Sequence, residues 1–264
     1  MARKTPAIHA LENYDTDADR PSGERWVTMS NALTRAGHGL SLSEKRIVMM
    51  AVSRLDSRKP VLSGMEVPKT KITAAEYAEA FEVDMDTAYD QLKDASKHLY
   101  NRSITFYEAA HKRKGKELAM TKVQMRWVGS VKYQEGEGWV ELAWWPDLMR
   151  HLMGLKKQFT SYQLQQTSAL RSAYSWRLLE LMMRFGDEGR AEYTIEDFAT
   201  AMDATEKQRE NFAAIRRKII EPAVKELTDK DGWDIQWKPI KAGRRVAKVR
   251  FDFKRQEQLR LPID

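Results

Sequence analysis

The chain has no cysteine among its 264 residues, so no disulfide can brace it and no thiolate can serve as nucleophile or metal ligand. A protein built this way suits a reducing compartment. It also has no apolar run approaching the roughly 20 residues of a membrane-spanning helix. Its opening stretch, MARKTPAIHALENYDTDADRPSG, lacks the apolar centre of a signal peptide. A cytoplasmic protein is expected. Enzymatic signatures are missing as well. There is no phosphate-binding GxxxxGK[ST] loop and no GxSxG nucleophile turn. The histidines His9, His38, His98, His111 and His151 are scattered, with no His-x-His pair to hold a metal beside a nicking tyrosine. No catalysis, no cofactor and no metal are therefore expected. Carboxylates are plentiful, but helix capping and surface pairing account for most of them, and QEGEG at 134–138 reads as a plain loop.

Positive charge is present, and it is concentrated. Lysine and arginine total 45 against 38 acids, a net charge of +7. Between Glu206 and Arg255 there are fifteen basic residues and eight acidic ones, so this fifth of the chain carries a surplus equal to that of the whole. Localised positive charge points to a polyanion. A hydrophobic content of 42% is enough for two domains of about 100 to 130 residues, each with its own core.

Residues 1–25 are polar and aperiodic and read as a flexible tail, with order starting at Trp26. SLSE at 41–44 is a capping box opening an amphipathic helix over 42–56, with Ile47, Val48, Ala51, Val52 and Leu55 on one face. The most informative pattern is an internal echo. TAAEYAEAF begins at Thr73 and TIEDFATAM at Thr194, each with a threonine N-cap, an acid three residues on, an aromatic next and a bulky apolar residue at the end. A second helix is expected after each, over 86–99 and 208–227. A hairpin is expected after that. In the second copy Trp233, Ile235 and Trp237 alternate with polar residues, KAGRR turns the chain, and Val249, Phe251 and Phe253 return. In the first, Ile104 and Phe106 lead through HKRKGK to Val123, Met125 and Trp127. A long helix precedes each capped one, at 42–56 and 167–185. The order is that of a winged helix-turn-helix, twice. The fold expected is α+β, two tandem winged-helix domains related by internal duplication: a tail at 1–25, domains at 26–157 and 158–256, and a short tail at 257–264.

An ideal wheel over 208–227 places Phe212, Ile215, Ile219, Ala223 and Leu227 on one face and Arg217 and Lys218 on the other. Arg216 falls inside the apolar stripe. In a helix-turn-helix this second helix enters the major groove, where an arginine can hold guanine O6 and N7 together. Arg217 is the first choice for that role, with Lys218 beside it, and Lys207 and Asn211 complete the expected contact set on this segment. Ala213 and Ala214 would let the backbone approach DNA. Pro222 is expected to bend the helix just past the basic run. The turn with Lys241, Gly243, Arg244 and Arg245 sits where a wing tip meets phosphates. In the first copy Ala88, Leu92, Ala95 and Leu99 form the buried stripe, which leaves Asp90, Lys93, Asp94 and Lys97 outward. Lys93 and Lys97, with Lys112, Arg113, Lys114 and Lys116 of the cationic tip, are the contacts expected there, salt sensitive and sequence blind. Trp144 and Trp145 of AWWPDL could form a stacking platform for bases, but core packing where a strand meets a helix is the simpler reading.

These residues together resemble the iteron-binding plasmid replication initiators. The likeness runs from about residue 30 to 255. It rests on NALTRAGHGLSLSEKRIVMMAV, YAEAF and its following helix, PDLMRHLMGLKKQFTSYQL, SAYSWRLLELMMRF, and IRRKIIEPAVKEL with the glycine-turned basic hairpin. The resemblance implies two winged-helix domains gripping opposite sides of one repeat, with the second making the main base contacts. It aligns IRRKII with the family's reading helix, which brings Arg216 in beside Arg217. It further implies a monomer on directly repeated origin sites, a dimer, formed through the first domain, that represses its own gene from an inverted repeat, and contacts with a host replication initiator and the replicative helicase. A dedicated transcriptional regulator, a nicking enzyme and an adaptor for acidic partners are the competing readings.

Overall fold

The computed structural model describes residues 20–61, 64, 66–108 and 121–255. The chain divides into two compact units, Met1–Ser168 and Ala169–Asp264. The first unit contains β1 (Trp26–Ser30), α1 (Asn31–Arg35), α2 (Leu42–Val52), β2 (Lys69–Thr73), α3 (Ala74–Phe81), α4 (Met85–His98), β3 (Ser103–Glu108), β4 (Thr121–Arg126), β5 (Val128–Gln134), β6 (Trp139–Trp144) and β7 (Phe159–Gln163). The second contains α5 (Ala173–Met183), β8 (Arg190–Thr194), α6 (Ile195–Ala201), α7 (Glu206–Arg209), α8 (Phe212–Ile215), a π turn at Arg216–Ile220, α9 (Glu221–Asp231), β9 (Trp233–Ala242) and β10 (Arg245–Arg255).

Local sequence places the helix starts. The Ser41 hydroxyl accepts from the Glu44 N–H, and the Ser41 N–H donates to the Glu44 carboxylate at 2.7 Å. α2 ends at Val52 rather than at 56, where Ser53 Oγ donates to the Met50 carbonyl at 2.8 Å. Thr73 and Thr194 cap α3 and α6 in the same way, accepting from the N–H groups of Glu76 and Asp197. α5 begins at Ala173, later than expected, because the Ser172 side chain caps it from Tyr174 N–H. Side-chain acceptors of this kind satisfy donors that the first helical turn leaves unpaired.

The wings follow from strand pairing. In the second unit the order is β8-β10-β9, all antiparallel, with Thr194 opposite Lys248 and Arg190 opposite Asp252. Phe251 stacks on Phe198 of α6, and Trp233, Ile235, Val249 and Phe253 fill the same side. In the first unit the three-stranded order is β2-β6-β5, so it is β6 that closes on the strand preceding the capped helix. The hairpin equivalent to β9-β10 is therefore β5-β6, turned by QEGEG. This corrects two expectations: the plain loop QEGEG is the turn between β5 and β6, and β3-β4 is a separate two-stranded sheet that lies between α4 and β5 in sequence. Sequence order favoured the first hairpin after α4, but pairing with β2 decides the topology.

Two boundaries also move. β7 pairs along its length with β1, Trp26 opposite Gln163 and Ser30 opposite Phe159, which holds residues 158–168 in the first unit instead of opening the second. Order begins before Trp26, in a 3-10 turn at Ser22–Glu24, and the Leu164 N–H donates to the Arg25 carbonyl at 3.0 Å. Trp144 is a core residue, its indole N–H on Thr70 Oγ1 at 3.3 Å.

Candidate nucleic-acid interface

The basic run of the second unit sits where the helix leaves α geometry. Asn211 interrupts the expected 208–227 helix and caps its continuation, its side-chain oxygen accepting from Ala214 N–H at 2.9 Å. From Arg216 to Ile220 the backbone makes a π turn, and the Glu221 N–H donates to the Arg216 carbonyl. A π turn holds one residue more than an α turn and recurs at functional sites. That extra residue changes which side chains face the core: Ile215, Ile219 and Ile220 are all buried, and Arg216, Arg217 and Lys218 are all exposed in an unbroken row. The ideal wheel had put Arg216 in the apolar stripe, and the π turn turns it out. Pro222, which has no N–H to return to the preceding turn, lies in the first turn of α9, so the helix resumes there, and its irregularity begins at Arg216, upstream of the proline. Gly232 ends α9 with φ 66°, the left-handed cap that glycine adopts without strain.

Each side chain of the row has a different setting. Arg216 Nε lies 3.3 Å from the Glu221 carboxylate. Arg217 Nε makes a long bond of 3.4 Å to the Ala213 carbonyl. Lys218 and, on α7, Lys207 are exposed. Their neighbour Arg209 has a structural task that sequence did not signal: its guanidinium donates to the Ala204 and Ala199 carbonyls at 2.8 and 3.0 Å, clamping α7 to the end of α6.

The wing beside this helix projects. β10 has three residues, Arg245, Val246 and Ala247, before Lys248 meets the end of β8. At about 3.3 Å per residue, the tip reaches roughly 10 Å past the three-stranded sheet. Gly243, with φ 62° at the first of two turn positions, makes the tight reversal, as glycine does in II′ hairpins. Lys241, Arg244 and Arg245 are exposed there, with open space around Gly243. Phe212 at the start of α8 packs near Trp237 of β9, ring centroids 6.4 Å apart, so helix and wing are set relative to each other by an aromatic contact.

Among the described residues, a helix-turn-helix with an exposed cationic row and a projecting cationic wing is thus present once in strong form. Two family models match the chain: "Initiator Replication protein, WH1" over residues 26–183 and "Initiator Rep protein, WH2" over residues 194–253. The chain belongs to the initiator replication protein family. It is similar to two Escherichia coli proteins: the "Uncharacterized 27.6 kDa protein", 27% identical over 77% of this chain and 85% of the relative, and the "PI protein", 24% identical over 84% and 80%. Among solved structures it is similar to the Pi initiator protein in complex with iteron DNA. The TM-score is 0.71 at 21% identity, covering 89% of this chain and 99% of that one, a likeness of fold.

The WH1 face differs from the WH2 face in charge and in reach. α4 is capped by Asp84, whose carboxylate accepts from the Thr87 N–H at 2.7 Å, a bond that holds its pKa below the ordinary value; Asp86 follows in the first turn. Asp90, Asp94 and Lys97 are exposed along the helix, and the stripe Ala88, Leu92, Ala95 and Leu99 is buried. The wing is short: Thr73, the last residue of β2, already faces Trp139, the first of β6. Its tip carries Glu135 and Glu137. Glu135 accepts a hydrogen bond from Lys93 of α4, which lowers the carboxyl pKa and raises that of the lysine, and the charge of Lys97 contributes further on Glu135. Gly138 is required here, since its φ is 63° and a Cβ would overlap the Tyr89 ring. Lys112, Arg113, Lys114 and Lys116 lie outside the described residues, as do residues 1–19 and 256–264. Among the described residues no cluster of His, Cys, Asp or Glu is arranged to hold a metal, and no helix is long and apolar enough to cross a membrane.

Proposed function

We propose that this initiator binds double-stranded origin DNA carrying direct repeats, with WH2 reading bases through Arg216, Arg217 and Lys218 and its wing holding phosphates through Lys241, Arg244 and Arg245. The observation that carries the reading is the row of three exposed cations on the WH2 helix, turned outward together by the π turn beside a projecting basic wing. A duplex-binding fold is supported by the similarity to the Pi initiator, which is described in complex with iteron DNA. WH1 adds accessory contacts, weaker because its reading helix and wing carry acids. The protein acts without catalysis: as a monomer on direct repeats to start replication, and as a dimer joined through WH1 on an inverted repeat to silence its own gene. Engagement of a host initiator and of the replicative helicase belongs to the same proposal.

Footprinting the full chain on the DNA flanking its own gene tests the reading. Protection of a tandem array at regular spacing is expected, with a separate protected inverted repeat at the promoter. Protection of the promoter alone would mark a dedicated repressor. A site-specific nick in supercoiled DNA with a divalent metal would mark an enzyme, and no protection at all a protein adaptor.

A further inference from the structure

The π turn creates a pairing that an α-helix would not. Residues five apart in an α-helix lie about 140° apart around its axis and do not meet. Here the Glu221 N–H closes on the Arg216 carbonyl, the two residues sit one above the other, and Arg216 Nε comes 3.3 Å from Glu221 Oε1. Each side chain remains half exposed, at 48%. A carboxylate thus stands against the first cation of the reading row, where it opposes any phosphate that approaches. On a surface serving only to attract DNA, this acid would weaken the attraction.

Its geometry suits another purpose. A carboxylate lying nearest Nε leaves both terminal amino groups of the arginine for an acceptor pair ahead of it, and guanine O6 and N7 are such a pair. The charge attraction between carboxylate and guanidinium biases Arg216 toward one arrangement before DNA arrives, so less side-chain freedom is lost on binding. Among the described residues no carboxylate plays this role for Arg217, whose Nε turns back to the Ala213 carbonyl.

We propose that Glu221 determines specificity: it is a positioning residue that orients Arg216 toward one guanine and, through its charge, disfavours binding to phosphates alone. This rests on WH2 being the base-reading domain.

The test uses the full chain and four variants, Glu221→Ala, Glu221→Gln, Arg216→Ala and the double alanine. Affinity is measured on the footprinted repeat, on that repeat with each guanine replaced in turn, and on a scrambled duplex. Arg216→Ala identifies the guanine concerned. Glu221→Ala should lower discrimination at that same guanine about fivefold or more and tighten binding to the scrambled duplex by about two- to fivefold. Glu221→Gln removes the charge at nearly equal size and should share both the loss of discrimination and the gain on scrambled DNA. Adding Glu221→Ala to Arg216→Ala should change nothing more at that guanine, with thermal midpoints of all variants matching the parent. A Glu221→Ala preference profile equal to the parent's, in a parent that discriminates, overturns the role of Glu221 alone. A parent with no preference among duplexes overturns the base-reading assignment and this proposal with it.

Discussion

Glu135, at the tip of the WH1 wing, accepts a hydrogen bond from Lys93 of α4, so the wing engages a cation of that helix. The corresponding WH2 helix carries exposed cations, and the tip of its wing is basic. The two copies of the fold differ in charge on these faces, and the difference comes from the turns QEGEG and KAGRR together with the acids of α4.

Releasing Lys93 should therefore strengthen general DNA binding. Glu135→Gln is expected to tighten binding to any duplex by up to about fivefold, the range of an exposed ion pair, and to steepen the salt dependence by up to about 0.9 in slope as one more phosphate is engaged. Titrations at several salt concentrations read both quantities. Unchanged affinity and slope would place Lys93 away from DNA.

The WH2 wing should behave in the opposite sense. Replacing Lys241, Arg244 and Arg245 with alanine should weaken specific and scrambled duplexes alike and flatten the salt slope by up to about 2.7, since each lost phosphate contact accounts for about 0.9. The preference among bases should persist. A loss confined to the specific repeat would make the wing a base reader.

Acid should loosen WH1 through Glu76. Burial would raise this carboxyl, but hydrogen bonds from the Thr73 N–H and hydroxyl and the charge of Arg54 more than offset it, so its pKa lies below the ordinary 4.5. A lowered folded-state pKa means that the contribution is fully present above pH 4.5 and fades as pH falls through the lower folded value. Glu76→Gln should start with a lower thermal midpoint at neutral pH and lose less on acidification. Equal acid slopes in parent and variant would remove Glu76 from the account.

Much of this was legible wherever the determinant is local. Ser41, Thr73 and Thr194 announced their helices because a cap needs only three or four consecutive residues. Trp233 to Phe253 announced a hairpin by alternation. What sequence hid is non-local or irregular. Which hairpin is the WH1 wing depends on β2 choosing β6, and the unit boundary depends on β7 returning to β1, pairings that no neighbouring residue signals. The π turn was hidden because a wheel assumes one period throughout. Its trace was the misfit of Arg216, a cation in an apolar stripe, and that misfit was the signal that the period changes there.

The most direct measurement of the central claim compares the parent and Arg217→Ala on the footprinted repeat and on a scrambled duplex of equal length. Base reading by WH2 predicts that the variant loses about 1 to 3 kcal/mol on the repeat, relaxes its base preference, and changes far less on the scrambled duplex. Equal affinity and an unchanged preference would contradict it.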